Sequence, residues 1–196
     1  MMKSALMGAV LGALFVSGTA LAQQAAPEAA RPEVKTVEDW FVRCFPIQSP
    51  SPCDMFQELD NRETRQRILS LSIAFVPSLN RHALQVTVPL DIAIQKGVVL
   101  QTDSYTSPML KYRRCDRNGC YVEMAVDNAL VEGLAKSGAA GKVNIVADNG
   151  KAFSLNFSLK GFAAAHDDMV AQARAKAKAV EKQPAADAPA APGATP

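Results

Sequence analysis

The stretch "VADNGKAFSLNFSL", residues 146–159, decides the fold class. Phe153, Leu155, Phe157 and Leu159 alternate with Ser154, Asn156 and Ser158, which is the period of a strand with one buried face. Asn149-Gly150 stands just ahead of it, and both residues tolerate the positive φ that a two-residue hairpin turn demands. The stretch therefore predicts a hairpin that joins residues 142–148 to residues 151–160.

The same period recurs upstream in "LSLSIAF" (69–75) and "LQVTV" (84–88). Short apolar runs at "DWFVRC", "CDMFQEL", "LDIAI", "GVVLQT", "MLKYRRC", "CYVEMAV" and "KVNIVAD" complete about ten short strands separated by turn residues. That pattern predicts an all-β antiparallel sandwich. Two helices interrupt it. "DNALVEGLAKSG" starts with Asp127 as N-cap, ends before Gly138 and sets Leu130, Val131 and Leu134 on one face. The second, over residues 166–182, is basic and Ala-rich, with Asp167 and Asp168 early and Arg174, Lys176, Lys178 and Lys182 late, as the helix dipole favours. Met169, Val170 and Val180 are its only large apolar residues, so it is expected to lie exposed beside the sandwich.

The ends of the chain speak to location. Residues 1–22 carry Lys3, an apolar run of about a dozen residues and a closing Ala20-Leu21-Ala22, the pattern of a cleaved signal peptide. The run is shorter than the roughly 20 residues of a spanning helix, so no transmembrane segment is expected. Residues 23–36 and 183–196 are Ala/Pro-rich and read as a linker and a disordered tail, leaving a sandwich domain over 37–165. Export disfavours a nucleic-acid role, and so does the net charge of +2.

An oxidising compartment turns four cysteines into two disulfides more naturally than into thiolate ligands. Cys115 and Cys120 flank Asp116-Arg117-Asn118-Gly119, a turn that brings paired strands together. Cys44 and Cys53 flank the Pro/Ser loop "FPIQSPSP". Three connectivities are open on sequence alone, and proximity during folding favours the two local bridges. Zinc knuckles want closer cysteine spacing, and a redox pair wants C-x-x-C at a helix start, so neither metal nor redox chemistry is expected.

In this order "WFVRC" (40–44), "VPLDIAIQKGVVLQTD" (88–103), "CDRNGC" (115–120) and "SLKGF" (158–162) resemble the invasion-associated locus B family, over residues 35–168. The resemblance implies an immunoglobulin-like β-sandwich, a periplasmic location that extends to the outer membrane or to release, and no established catalytic activity. Asp91 departs from the family pattern, which leads one to expect Gly after "PL".

Chemistry is sparse. His82, placed in a loop after "PSLNR", and His166, at the start of the last helix, are expected to be surface histidines. There is no nucleophile elbow and no zinc-helix motif, so the chain is expected to be non-catalytic and to need no cofactor. Lys111, Arg113, Arg114 and Arg117 crowd the stapled turn and are the candidate partner-binding residues, for an envelope or host protein or an anionic envelope polymer. The terminal linkers would extend the domain's reach, and the basic helix would add a weak second contact. The alternative is a carbohydrate or small-ligand module using exposed Tyr105, Tyr112 and Tyr121, and a third reading is a hydrolase with His82 as base. Trp40, the lone tryptophan, is expected in the core beside a disulfide.

Overall fold

The computed structural model describes residues 31–182. The signal-peptide segment 1–22, most of the 23–36 linker and the 183–196 tail lie outside the described residues. The described residues hold ten strands: β1 (Glu33–Val37), β2 (Trp40–Cys44), β3 (Cys53–Asp60), β4 (Arg67–Val76), β5 (Arg81–Val88), β6 (Val99–Gln101), β7 (Arg114–Asp116), β8 (Gly119–Val126), β9 (Ala140–Val146) and β10 (Ala152–Ser158). They form two antiparallel sheets, one of seven strands in the order β1-β2-β3-β4-β5-β8-β7 and one of three in the order β10-β9-β6. The class is all-β and sandwich-like, as expected from the alternation.

Period two sorts the large sheet cleanly. Register places Met55, Ile73 and Leu84 on the inner face, all at or near full burial. Ala74 and Ala83 pair on the outer face, flanked by Asp54 and Ala125. Val143, Ile145 and Phe157 of the small sheet join the same core. Gln57 ties the layers together, because its amide donates to Asp39 C=O at 2.7 Å and its carbonyl accepts from Ser158 N–H at 2.8 Å. Trp40 is fully buried, donates from Nε1 to Ser158 C=O at 3.0 Å and meets Phe162 edge-on at 5.1 Å.

Helix α1 (Asn128–Ala135) is capped by Asp127, which accepts from Leu130 N–H at 3.1 Å, and it buries Leu130, Val131 and Leu134. Helix α2 (Phe162–Lys182) departs from expectation. It starts four residues earlier than read and is docked rather than exposed, burying Phe162, Ala165, Met169 and Ala173 against β2, β3 and β4. Half of the stripe is alanine, whose small side chain lets the helix approach the sheet closely and whose burial a count of large residues overlooks. The folded unit accordingly reaches beyond 37–165, from β1 at Glu33 to the docked part of α2.

Three smaller readings change. "LDIAI" is not a strand: Ile92 makes one isolated bridge with Ala147, and Ile94–Lys96 form a 3-10 turn. The Asn149-Gly150 hairpin closes through a longer loop, in which Gly150 N–H donates to Ala147 C=O at 2.9 Å and only Gly150 takes positive φ. Asp91 adopts φ 64, the left-handed conformation a glycine would take, so the turn persists with an aspartate bearing the strain.

Candidate functional site

The stapled hairpin stands at the β8 edge of the large sheet. Cys115 pairs with Cys120 in register and in a disulfide, and Cys44 is bridged to Cys53, so the structure carries the two local pairings. The second bridge is buried in the core, whereas Cys115 is exposed. The turn itself is Arg117-Asn118. Asn118 N–H donates to Asp116 Oδ1 at 2.8 Å, which holds the Asp116 carboxyl below its ordinary value. Gly119 takes φ 140 against β5, where any Cβ would collide with the Val88 carbonyl oxygen.

The four candidate cations divide into two kinds. Arg114 lies 3.8 Å over the Tyr121 ring and donates to Asp116 at 2.6 Å and to Glu123 at 2.9 Å, so its charge is spent within the hairpin. Arg113 is mostly exposed and reaches Glu123 at 3.8 Å. Lys111 and Arg117 are exposed, and among the described residues neither has an ion-pair partner. Arg117 on the rigid turn and Lys111 just ahead of β7 are the two unpaired cations, rather than four, that a partner would meet.

Beside the hairpin the outer face of the large sheet sinks into a trough of about 460 Å³. Its floor is made of small side chains, Ser72, Ala74, Ala83 and Ala125, and Gln85 and Glu123 offer polar groups. Arg113 stands on one wall. At the other side Arg43 grips Asp54 through two hydrogen bonds of 3.0 and 2.6 Å and lies 4.5 Å over the Phe56 ring. The Asp54 bond holds the Arg43 guanidinium above its ordinary value. Ser72 Oγ also donates to Asp54, at 3.0 Å. The walls are thus charge-compensated and held in place by their own hydrogen bonds.

The histidines are not surface groups. His82 lies on β5, not in a loop, is 6 % exposed, and its Nε2 sits 2.9 Å from His166 Nε2 on α2. Burial, and then the neighbouring charge of His166, push His82 below its ordinary 6.5, opposed in part by the Asn128 side chain. His166 Nδ1 is 3.1 Å from Asp167, Phe75 packs beside His82, and Arg174 lies over the Phe75 ring. The pair is a bolt between helix and sheet. The tyrosines are not exposed platforms either: Tyr121 is buried under Arg114, Tyr105 packs over Gly133, and burial pushes the Tyr112 phenol far above its ordinary value. Among the described residues no group of three or more His, Cys, Asp or Glu side chains is placed to hold a metal.

Residues 40–170 match the model of the invasion associated locus B protein family. The chain belongs to the invasion associated locus B family. An invasion protein B homologue of Brucella abortus (strain 2308) is 30 % identical over 134 residues, covering 68 % of this chain and 76 % of its own length. A second homologue, from Brucella abortus biovar 1, matches to the same extent. The crystal structure of invasion associated protein b from Bartonella henselae superposes with a TM-score of 0.62 at 22 % identity, over 71 % of this chain and 97 % of that one. The family segment runs from the start of β2 to Val170, so the first part of α2, with Phe162, Ala165 and Met169, stands within it. The hairpin, the trough and the histidine bolt lie inside the same segment. Among the described residues no helix is long and apolar enough to cross a membrane.

Proposed function

We propose that the protein is a non-catalytic binding protein of the bacterial envelope, periplasmic or associated with the outer membrane, that grips a protein partner of the envelope or host through the stapled hairpin and the trough beside it. The observation that carries this reading is Arg117, an unpartnered cation on a covalently closed turn, with unpartnered Lys111 just ahead of β7 and Arg113 on the wall of the neighbouring trough. A turn fixed by a disulfide loses little entropy on binding, so its exposed charges act at full effect. Two disulfides suit an oxidising compartment. The relatives bear the name of invasion proteins, which supports a partner at the cell surface.

Affinity capture from detergent-solubilised envelopes tests the reading. Wild-type protein should retain one specific component that salt weakens, and Lys111→Glu with Arg117→Glu should lose it while remaining folded. Equal retention by the double variant would contradict the proposal.

A further inference from the structure

The large sheet is left open at one place. β7 covers β8 only from Gly119 to Tyr121. Arg114 pairs with Tyr121, and Arg113 N–H also donates to Tyr121 C=O at 2.7 Å, so two residues face one in the manner of a β-bulge. The bulge turns the chain away, and beyond it β8 pairs only with β5, as far as Val126. Because the Tyr121 backbone faces β7, the strand period points the N–H and C=O groups of Glu123 and Ala125 to the same side, where no strand receives them.

The open edge has shaped space on both faces. Glu123, Met124 and Ala125 line the outer trough of about 460 Å³. Met124, Ala125 and Val126 also line a second cavity of about 580 Å³, closed on its far side by Pro108, Met109 and Leu110 and at its base by Leu130. Met124 belongs to the inner face by register with Leu84, yet it is 42 % exposed, as is Met109 at 48 %. The edge strands of the large sheet are guarded: β1 carries Glu33 and Lys35, and β7 carries Arg114 and Asp116.

We infer that the β8 edge from Glu123 to Val126 is a docking slot for an extended peptide segment of a partner protein, which adds to the sheet as a short strand. The backbone of Glu123 and Ala125 supplies the hydrogen bonds, and alternate side chains of the peptide enter the two cavities. The inner cavity, lined mainly by apolar groups such as Met109, Leu110, Met124 and Leu130, with Arg81 and Asp127 also in its wall, takes an apolar side chain; the outer trough, with Glu123, Gln85 and Arg113, takes a polar one. The occupant is therefore a segment of alternating apolar and polar residues. A second copy of this chain fits poorly. Its own β8 bears the stapled hairpin on this same edge, and antiparallel self-pairing about Met124 would press that hairpin onto Asp127 and the first turn of α1.

The inference rests on the reading of the chain as a binding protein and is tested apart from it. The probe is an array of fluorescent octapeptides alternating Val, Ile or Leu with Thr, Ser or Lys, read by fluorescence polarisation against the full chain. Ala125→Pro removes an N–H that the fold does not use and should weaken the best peptides by about tenfold or more. N-methylation of alternate peptide positions should do the same. Amide hydrogen exchange gives a second readout on the unaltered protein: Glu123 and Ala125 should exchange fast when free and slow with peptide, while Val122 and Met124, bonded to β5, stay protected throughout. No binding from the array, equal binding to Ala125→Pro, or unchanged exchange at Glu123 and Ala125 would overturn the inference. A dimer of the free chain that Ala125→Pro abolishes would assign the edge to a second copy and overturn it equally. Envelope capture that depends on Lys111 and Arg117 but survives Ala125→Pro would remove the edge slot and leave the binding reading in place.

Discussion

The interface between α2 and the sheet and the β7–β8 hairpin achieve rigidity by opposite means. At the helix, order comes from burial: Trp40, Phe162, Ala165 and Met169 are all essentially inaccessible, and the polar groups that enter, His82 and His166, meet Nε2 to Nε2. At the hairpin β7 and the turn are exposed, and beyond the residues that β8 buries, order comes from a covalent bridge, a cation over a ring and a network of ion pairs. Burial spends a surface on stability. A bridge and a compensated charge network leave a surface free, and the free cations, the trough and the open edge are all at the hairpin end.

Breaking the buried end should have the largest effect. Trp40→Ala should cost about 3–5 kcal/mol, combining lost transfer energy, a cavity and the loss of the indole hydrogen bond to the Ser158 carbonyl, as read by denaturant unfolding. Opening the hairpin should cost less. Cys115→Ser with Cys120→Ser should lower stability by about 2 kcal/mol, the chain-entropy value for so short a loop, and should raise amide exchange in β7 without loosening α2.

The histidine bolt sharpens the contrast with pH. The folded pKa of His82 lies below its ordinary 6.5, so the unfolded chain takes up a proton that the folded chain resists. Stability is then complete above about pH 6.5 and declines as pH falls through the lowered folded value, because charge on His82 is disfavoured by its burial at the α2 docking surface. Thermal unfolding followed from pH 8 to 5 should show this decline, and His166→Ala should lower stability at pH 8 by about 1–2 kcal/mol while making the decline shallower. The smallest effect on stability belongs to Lys111→Glu with Arg117→Glu, within about 0.5 kcal/mol, because neither side chain has a partner to lose. A larger change would mean that the hairpin cations serve the fold.

Much of this architecture is legible in the sequence where the signal is local. Alternation of Leu69, Leu71, Ile73 and Phe75 marks β4, Asp127 marks the start of α1, and the turn residues between Cys115 and Cys120 mark the hairpin. What the sequence hides is long-range. His82 and His166 stand 84 positions apart, and nothing near either announces the other. The docking of α2 hides in alanines that a hydrophobic pattern discounts. The neutralisation of Arg114 depends on Glu123 lying across the hairpin, which needs the register rather than the composition. The open edge is further still from the sequence, since it depends on a bulge that ends one pairing early.

A photo-crosslinking residue placed in turn at Arg117 on the hairpin and at Lys178 on α2, in cells that make the protein, tests the central claim most directly. The account predicts that Arg117 captures a defined envelope or host protein and that Lys178 does not. Capture of that protein from Lys178 alone, or from neither position, would contradict it.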